Sequence, residues 1–225
     1  MAIKSVRLPD GSTVEINEWL HWPLFSVLEF ADTAAVDLRA FTYVVGQRVP
    51  TSGVAPRTAT ETDTNQVART RMNHDEAFIV FNLTYEPFAL TNAQFGEEAP
   101  TIQAPAPVLL GTNLRRLQRD LVVELFIGAG ITKPQFRAPM SWIGQGCGPV
   151  AFGSGEQPVV TVAYASGTGG QVSPRNQRRL NLPIYIESDR VMYLRNSSPV
   201  GAIDGLSQDV RLRWYLDGLK QRPIA

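Results

Sequence analysis

At 225 residues the chain can bury a substantial core, as one large β domain or two small ones. Lysine plus arginine and aspartate plus glutamate balance at 21 each, which excludes the global basic field that coats nucleic acid through bulk charge. The hydrophobic share of 44% suits an ordinary folded chain, and its 18 glycines and 16 prolines fall between short apolar runs, which implies many turns.

In chain order, Ile3 to Ile16 reads as a small hairpin about Pro9-Asp10-Gly11-Ser12, whose Asp-Gly supplies the positive φ of a tight turn. The aromatic segment Trp19, Trp22, Phe25 and Phe30 follows. Helix and strand compete there around Pro23, and the strand reading is preferred because Phe25 and Val27 alternate. Residues 36–49 are β-branched and aromatic and predict a strand ending before Pro50. Residues 51–70 are polar and threonine-rich with little to bury, so an extended loop or arm is expected over about 50–72. Residues 77–85 predict a buried strand that Pro87 limits. A second loop is expected over about 91–109, ahead of an amphipathic helix capped by Thr112 or Asn113 and carrying Leu114, Leu117 and Leu121 on one face.

Residues 122–127 turn β-like before Gly128-Ala129-Gly130, and 159–164 predict another strand followed by a flexible tip at 166–170. Pro183 to Arg195 reads as a long strand with a turn or bulge at Glu187-Ser188-Asp189, ended by Asn196-Ser197-Ser198-Pro199. In the final strand Val210, Leu212, Trp214 and Leu216 alternate with Arg211, Arg213, Tyr215 and Asp217, an apolar row backed by a polar one. About eight strands, one short helix and no β-α alternation predict an all-β fold, an antiparallel sandwich of jelly-roll type with long loops, over a single domain 1–225.

No chemistry stands out. The histidines are His21 and His74 only, with no paired ligand spacing, which argues against a metal site. No G-x-S-x-G elbow or completed phosphate loop occurs, and Cys147 sits among glycines without a protease signature. That lone cysteine forms no intrachain disulfide, so stability must come from packing or assembly. The expected reading is no enzyme and no cofactor. The N-terminus lacks an apolar signal region, and the longest apolar run is far short of the roughly 20 residues of a membrane span, so a soluble chain made in the cytoplasm is expected.

One resemblance extends these readings. Pro183-Ile184-Tyr185-Ile186, then Val191 to Ser198, then Leu216-Asp217-Gly218-Leu219-Lys220 is similar to the C-terminal signature of bacteriophage virion proteins with a β-sandwich of jelly-roll type, in which the last strand closes on an aliphatic-x-Gly-x-Lys turn. The strand start Asp75 to Val80 is also similar. The resemblance implies a capsid-type structural protein of the virion that assembles with copies of itself and other virion proteins, with genome or an internal membrane as further contacts and no small-molecule substrate. The loops and basic clusters then become candidate subunit contacts: Arg57, Thr60, Asp63 and Asn65 in the arm, Arg115 and Arg119 on the helix, Arg178 and Arg179 before the last strands, and Arg211, Arg213 and Asp217 in the final strand. The alternatives are a carbohydrate- or receptor-binding sandwich using Trp19, Trp22 or Trp142 as stacking platforms, and a sandwich-fold hydrolase using His21 or His74.

Overall fold

The computed structural model describes residues 5–7, 11, 13–15, 19–30, 35–52, 55–74, 76–89, 106–144, 150–152, 166–168, 179–203, 206 and 210–221. Among them are strands β1 (Ser5–Arg7), β2 (Thr13–Glu15), β3 (Trp19–Phe30), β4 (Ala35–Ala40), β5 (Thr51–Ser52) and β6 (Phe78–Ala89), then helix α1 (Ala106–Asp120). After it come β7 (Val122–Ile127), β8 (Phe136–Pro139), β9 (Val150–Phe152), β10 (Ser166–Thr168), β11 (Arg179–Ile186), β12 (Met192–Ala202) and β13 (Val210–Gln221). The protein is mainly β and sandwich-like, with a five-stranded sheet in the order β11-β6-β13-β3-β5 and a four-stranded sheet in the order β4-β12-β7-β8. β1 and β2 form the expected small hairpin, with Val6 opposite Val14.

The pairings nest. β3 runs antiparallel to β13, β4 to β12, β6 to β11 and β7 to β8. Along the chain these pairs lie one inside the next about the turn that joins β7 to β8, so the backbone is a long two-stranded ribbon folded over itself. Contacts of β13 with β6 and of β12 with β7 close the ribbon into two sheets.

The period-two pattern fixes the core. From the five-stranded sheet Leu24, Leu28, Phe30, Phe78, Val80, Tyr85 and the whole row Val210 to Leu216 point inward, where they meet Val36, Ala40, Val123, Leu125, Met192 and Leu194 of the other sheet. Trp214 is fully buried, with its ring 5.4 Å from that of Tyr85. Leu114, Leu117 and Leu121 of the helical segment join the same cluster, as their spacing predicts. Each such large side chain contributes about 1.5–3 kcal/mol on leaving water.

Several expectations give way. The strand expected over 36–49 stops at Ala40, because Phe41 turns into the left-handed region (φ 63) while its amide donates to Ser26 Oγ at 2.9 Å. β6 runs through Pro87, which the sequence reading took as its limit. Among the described residues the strand pairs beyond Asn82 with β13 alone, and a strand with one neighbour can carry a residue without an N–H. The helix starts at Ala106, well before the expected cap, because proline fits the first turn of a helix and Pro107 lies there. This shortens the loop expected over 91–109, whose remainder at 91–105 lies outside the described residues.

Asn196 to Pro199 do not end a strand either. β12 continues to Ala202 through an irregularity between Ser197 and Ala202, where Pro199 has no ladder partner among the described residues. The turn at 187–190 separates β11 and β12 into different sheets, with Asp189 left-handed (φ 57). Ser166-Gly167-Thr168, expected as a flexible tip, pairs with β9. The strand expected at 159–164 and Cys147 lie outside the described residues.

Candidate functional site

The most elaborate polar assembly lies on the outer face of the five-stranded sheet. Its origin is the alternation of β13: with Val210, Leu212, Trp214 and Leu216 turned inward, Arg211, Arg213, Tyr215 and Asp217 stand on the opposite face. Register then chooses their partners. Arg211 lies opposite Glu29 of β3, Arg213 opposite Glu86 of β6, and Asp217 opposite Asn82.

Glu29 is fully buried, and its Oε1 accepts from Arg211 Nε at 2.8 Å and from Arg57 Nε at 2.7 Å. Arg57 also grips Asp63 with both terminal nitrogens, at 2.7 and 2.6 Å. Burial works to raise the Asp63 carboxyl, but the Arg57 guanidinium and the Thr60 amide and hydroxyl outweigh it and hold the group down at about 2. Arg57 responds by rising above the ordinary guanidinium range, chiefly through its bond to Asp63. Burial pulls Arg211 the other way.

Two carboxylates and two guanidiniums therefore neutralise one another where a lone charge would cost several kcal/mol. Beside them Arg213 reaches Glu86 at 3.0 Å and the Thr62 carbonyl at 3.0 Å, and lies over the Phe25 ring. Tyr215 donates to the same Glu86 oxygen at 2.7 Å, and burial together with that contact raises its phenol.

This network fastens the polar segment 55–71 to its own sheet. The Asp63 carbonyl accepts from the Val27 amide at 2.9 Å, the Pro50 carbonyl from the Glu29 amide at 3.2 Å, and β5 adds a short parallel pairing at Glu29 and Phe30. Asn65 completes the seam with its side chain, whose Oδ1 accepts from the Phe25 amide at 2.9 Å and whose Nδ2 donates to the Pro23 carbonyl at 2.7 Å. One amide thus imitates a paired strand. Tyr43, buried beneath, bonds the Val27 amide and carbonyl through its hydroxyl at 2.9 and 2.8 Å, and burial pushes its phenol up to about 12. The segment expected as an extended loop or arm covers the edge of β3, the row of unpaired backbone groups that sheets otherwise leave to aggregation.

The residues expected at subunit contacts therefore divide. Arg57, Thr60, Asp63, Asn65, Arg211, Arg213 and Asp217 come together on this face, and each has partners within the chain. Arg119 chelates Asp120 at 2.6 and 2.7 Å, and Arg115 is exposed on the helix. Arg179 opens β11 opposite Asn82, and Arg178 lies outside the described residues. The Leu216 to Lys220 motif, expected to close on a turn, stays paired within the last half of β13. Sequence reasoning missed Glu29 as a buried charge and Tyr43 as a clamp.

The tryptophans and histidines are spread widely. Trp19 and Trp214 are buried, whereas Trp22 and Trp142 are about two-fifths exposed, with Lys220 Nζ over the Trp22 ring at 5.4 Å. His21 contacts Asp217 at 2.7 Å and His74 contacts Asp189 at 2.5 Å. Among the described residues no three metal-ligating side chains gather, and no helix is long and apolar enough to cross a membrane. Comparison with protein-family models, with curated proteins and with solved structures found no match to this chain.

Proposed function

We propose that the chain is a structural protein of a phage particle, a capsid-type subunit whose sandwich is a jelly roll and which assembles with copies of itself and with other virion proteins. What supports the reading is the nested pairing of β3 with β13, β4 with β12, β6 with β11 and β7 with β8, with the first three pairs falling in alternate sheets. An eight-stranded ribbon rolled this way gives two sheets of four, the architecture shared by viral capsid and lectin domains. The similarity of the C-terminal block to virion proteins points the same way, although its Gly218 serves a close strand contact and not a turn.

Assembly in this reading uses surfaces that the 55–71 segment leaves open. Among the described residues β11 is an edge of the five-stranded sheet, and Leu182 on it is 69% exposed; Val200 at the far part of β12 is 74% exposed. Light scattering and negative-stain microscopy across a concentration series test the proposal. The expected result is a discrete oligomer, ring or shell that a Leu182→Lys, Val200→Lys double variant disfavours. A monomer at every concentration would sink it.

A further inference from the structure

We propose that a groove at the end of β4, which borders the charge network at Tyr43 and Pro50, binds a phosphate-bearing ligand through Arg39, Arg48 and Arg69. These three arginines line one open cavity of about 660 Å³ with Thr42, Gln47 and Thr70. The chain as a whole is neutral, so the concentration of three positive charges is local. None of the three makes an ion pair among the described residues. The carboxylate nearest Arg39 along its own strand, Asp37, is already held by Arg195 through both oxygens, at 2.8 and 3.0 Å. Elsewhere on this surface arginines are matched: Arg195 also meets Glu124 at 3.4 Å, and so does Arg137 at 3.3 Å. The groove differs, because Arg39, Arg48 and Arg69 all line it and it holds no carboxylate among its lining residues.

The backbone of the walls is set in advance. Phe41 (φ 63), buried just before the lining residue Thr42, and Thr70 (φ 59), itself a lining residue, are non-glycine residues in the left-handed region, a conformation held only where surroundings enforce it. Here they do: Ser26 takes the Phe41 amide, and the Thr70 carbonyl accepts from the Met192 amide at 2.9 Å. Arg39 is braced from below, its guanidinium 4.9 Å from the centre of the Tyr193 ring, which stacks on Phe126. A phosphoryl group suits this set better than a carboxylate. It offers three oxygens to three forked donors, where a carboxylate offers two. The volume leaves room for the remainder of the molecule beyond its phosphate.

The full chain is titrated calorimetrically at low salt with inorganic phosphate, a nucleoside monophosphate and a short single-stranded oligonucleotide, with citrate as the carboxylate control. Saturable binding of the phosphate probes, weakening as salt rises, is the expected result. Arg69→Gln should weaken it about tenfold, and Arg48→Gln with Arg69→Gln about a hundredfold, the size expected for losing one and two charge-assisted contacts. Both side chains are exposed, so melting temperature should stay unchanged and separates lost binding from lost fold. An Arg115→Gln variant should bind as the parent does. Oligonucleotide affinity far above that of the monophosphate identifies a polynucleotide backbone as the source; equal affinity identifies a free phosphate group. Absence of saturable phosphate binding, affinity untouched by the double variant, or citrate binding as tightly as phosphate overturns the assignment.

Discussion

Replacing Asp63 by asparagine removes the charge that fastens residues 55–65 to the sheet, and the size of the effect follows from the geometry. The carboxyl is held at about 2 against an ordinary 3.8, a depression of nearly two pKa units at about 1.4 kcal/mol each, or roughly 2.5 kcal/mol. A depressed carboxylate contributes its full stability above its unfolded pKa and loses it as pH falls through the folded one. The contribution is therefore complete at pH 7, declines below pH 4 and is largely gone near pH 2. Asp63→Asn should accordingly cost about 2.5 kcal/mol at neutral pH, rising toward 3–5 if Arg57 is left under-compensated.

Urea unfolding of both proteins between pH 7 and pH 2 measures the gap, and carboxylates common to the two cancel in the difference. The gap should close on acidification. A gap that stays constant across that range would refute the assignment of the stability to the Asp63 charge.

Other outcomes follow from single positions. Gly218→Ala places a Cβ over the Ile79 carbonyl oxygen and 2.8 Å from its carbon, in backbone that cannot step aside, so thermal unfolding should show a loss of about 3 kcal/mol or more. Gly46→Ala, in open space but at φ 86, should cost only about 1–2 kcal/mol by the same assay. Asn65→Ala removes both bonds to β3, and limited proteolysis should cut within 55–71 faster than in the parent while the rest of the domain stays resistant. Trp214→Ala empties the centre of the core and should lower unfolding free energy by about 3–5 kcal/mol in denaturant titrations.

What the sequence disclosed was the part of the fold that repeats at short range. The alternation in β13 and the leucine spacing of α1 each follow from a buried face with a fixed period, and both stand in the structure. Prolines misled where their neighbours were unknown. Pro87 and Pro199 looked like strand terminators, yet among the described residues each lies where the strand lacks a partner on at least one side, a matter of pairing and not of local sequence.

The charge network was half visible. Arg211 and Arg213 announced a polar row, but Glu29, which answers Arg211 across 182 positions of chain, becomes a partner only through register. The threonine-rich segment read as a long loop or arm because its fastening to the sheet is done by a few side chains with no periodic signature, above all Asn65 and Arg57. Polar composition revealed that it is not core. It carried no information on whether its bonds go to a neighbour or home.

The nested pairing also sets an order of events for folding. β13 is the last described strand in the chain, yet it lies in the middle of the five-stranded sheet, paired along nearly its whole length with β3 on one side and β6 on the other. Until it arrives, those two strands must wait about two strand spacings apart, close to 10 Å, with no backbone partner between them. Formation of that sheet is therefore a late, long-range step, of the kind that folds in milliseconds to seconds and not microseconds. During the wait the inner edges of β3 and β6 are open to strands of other chains, so chain concentration during synthesis becomes a variable in the yield of folded protein.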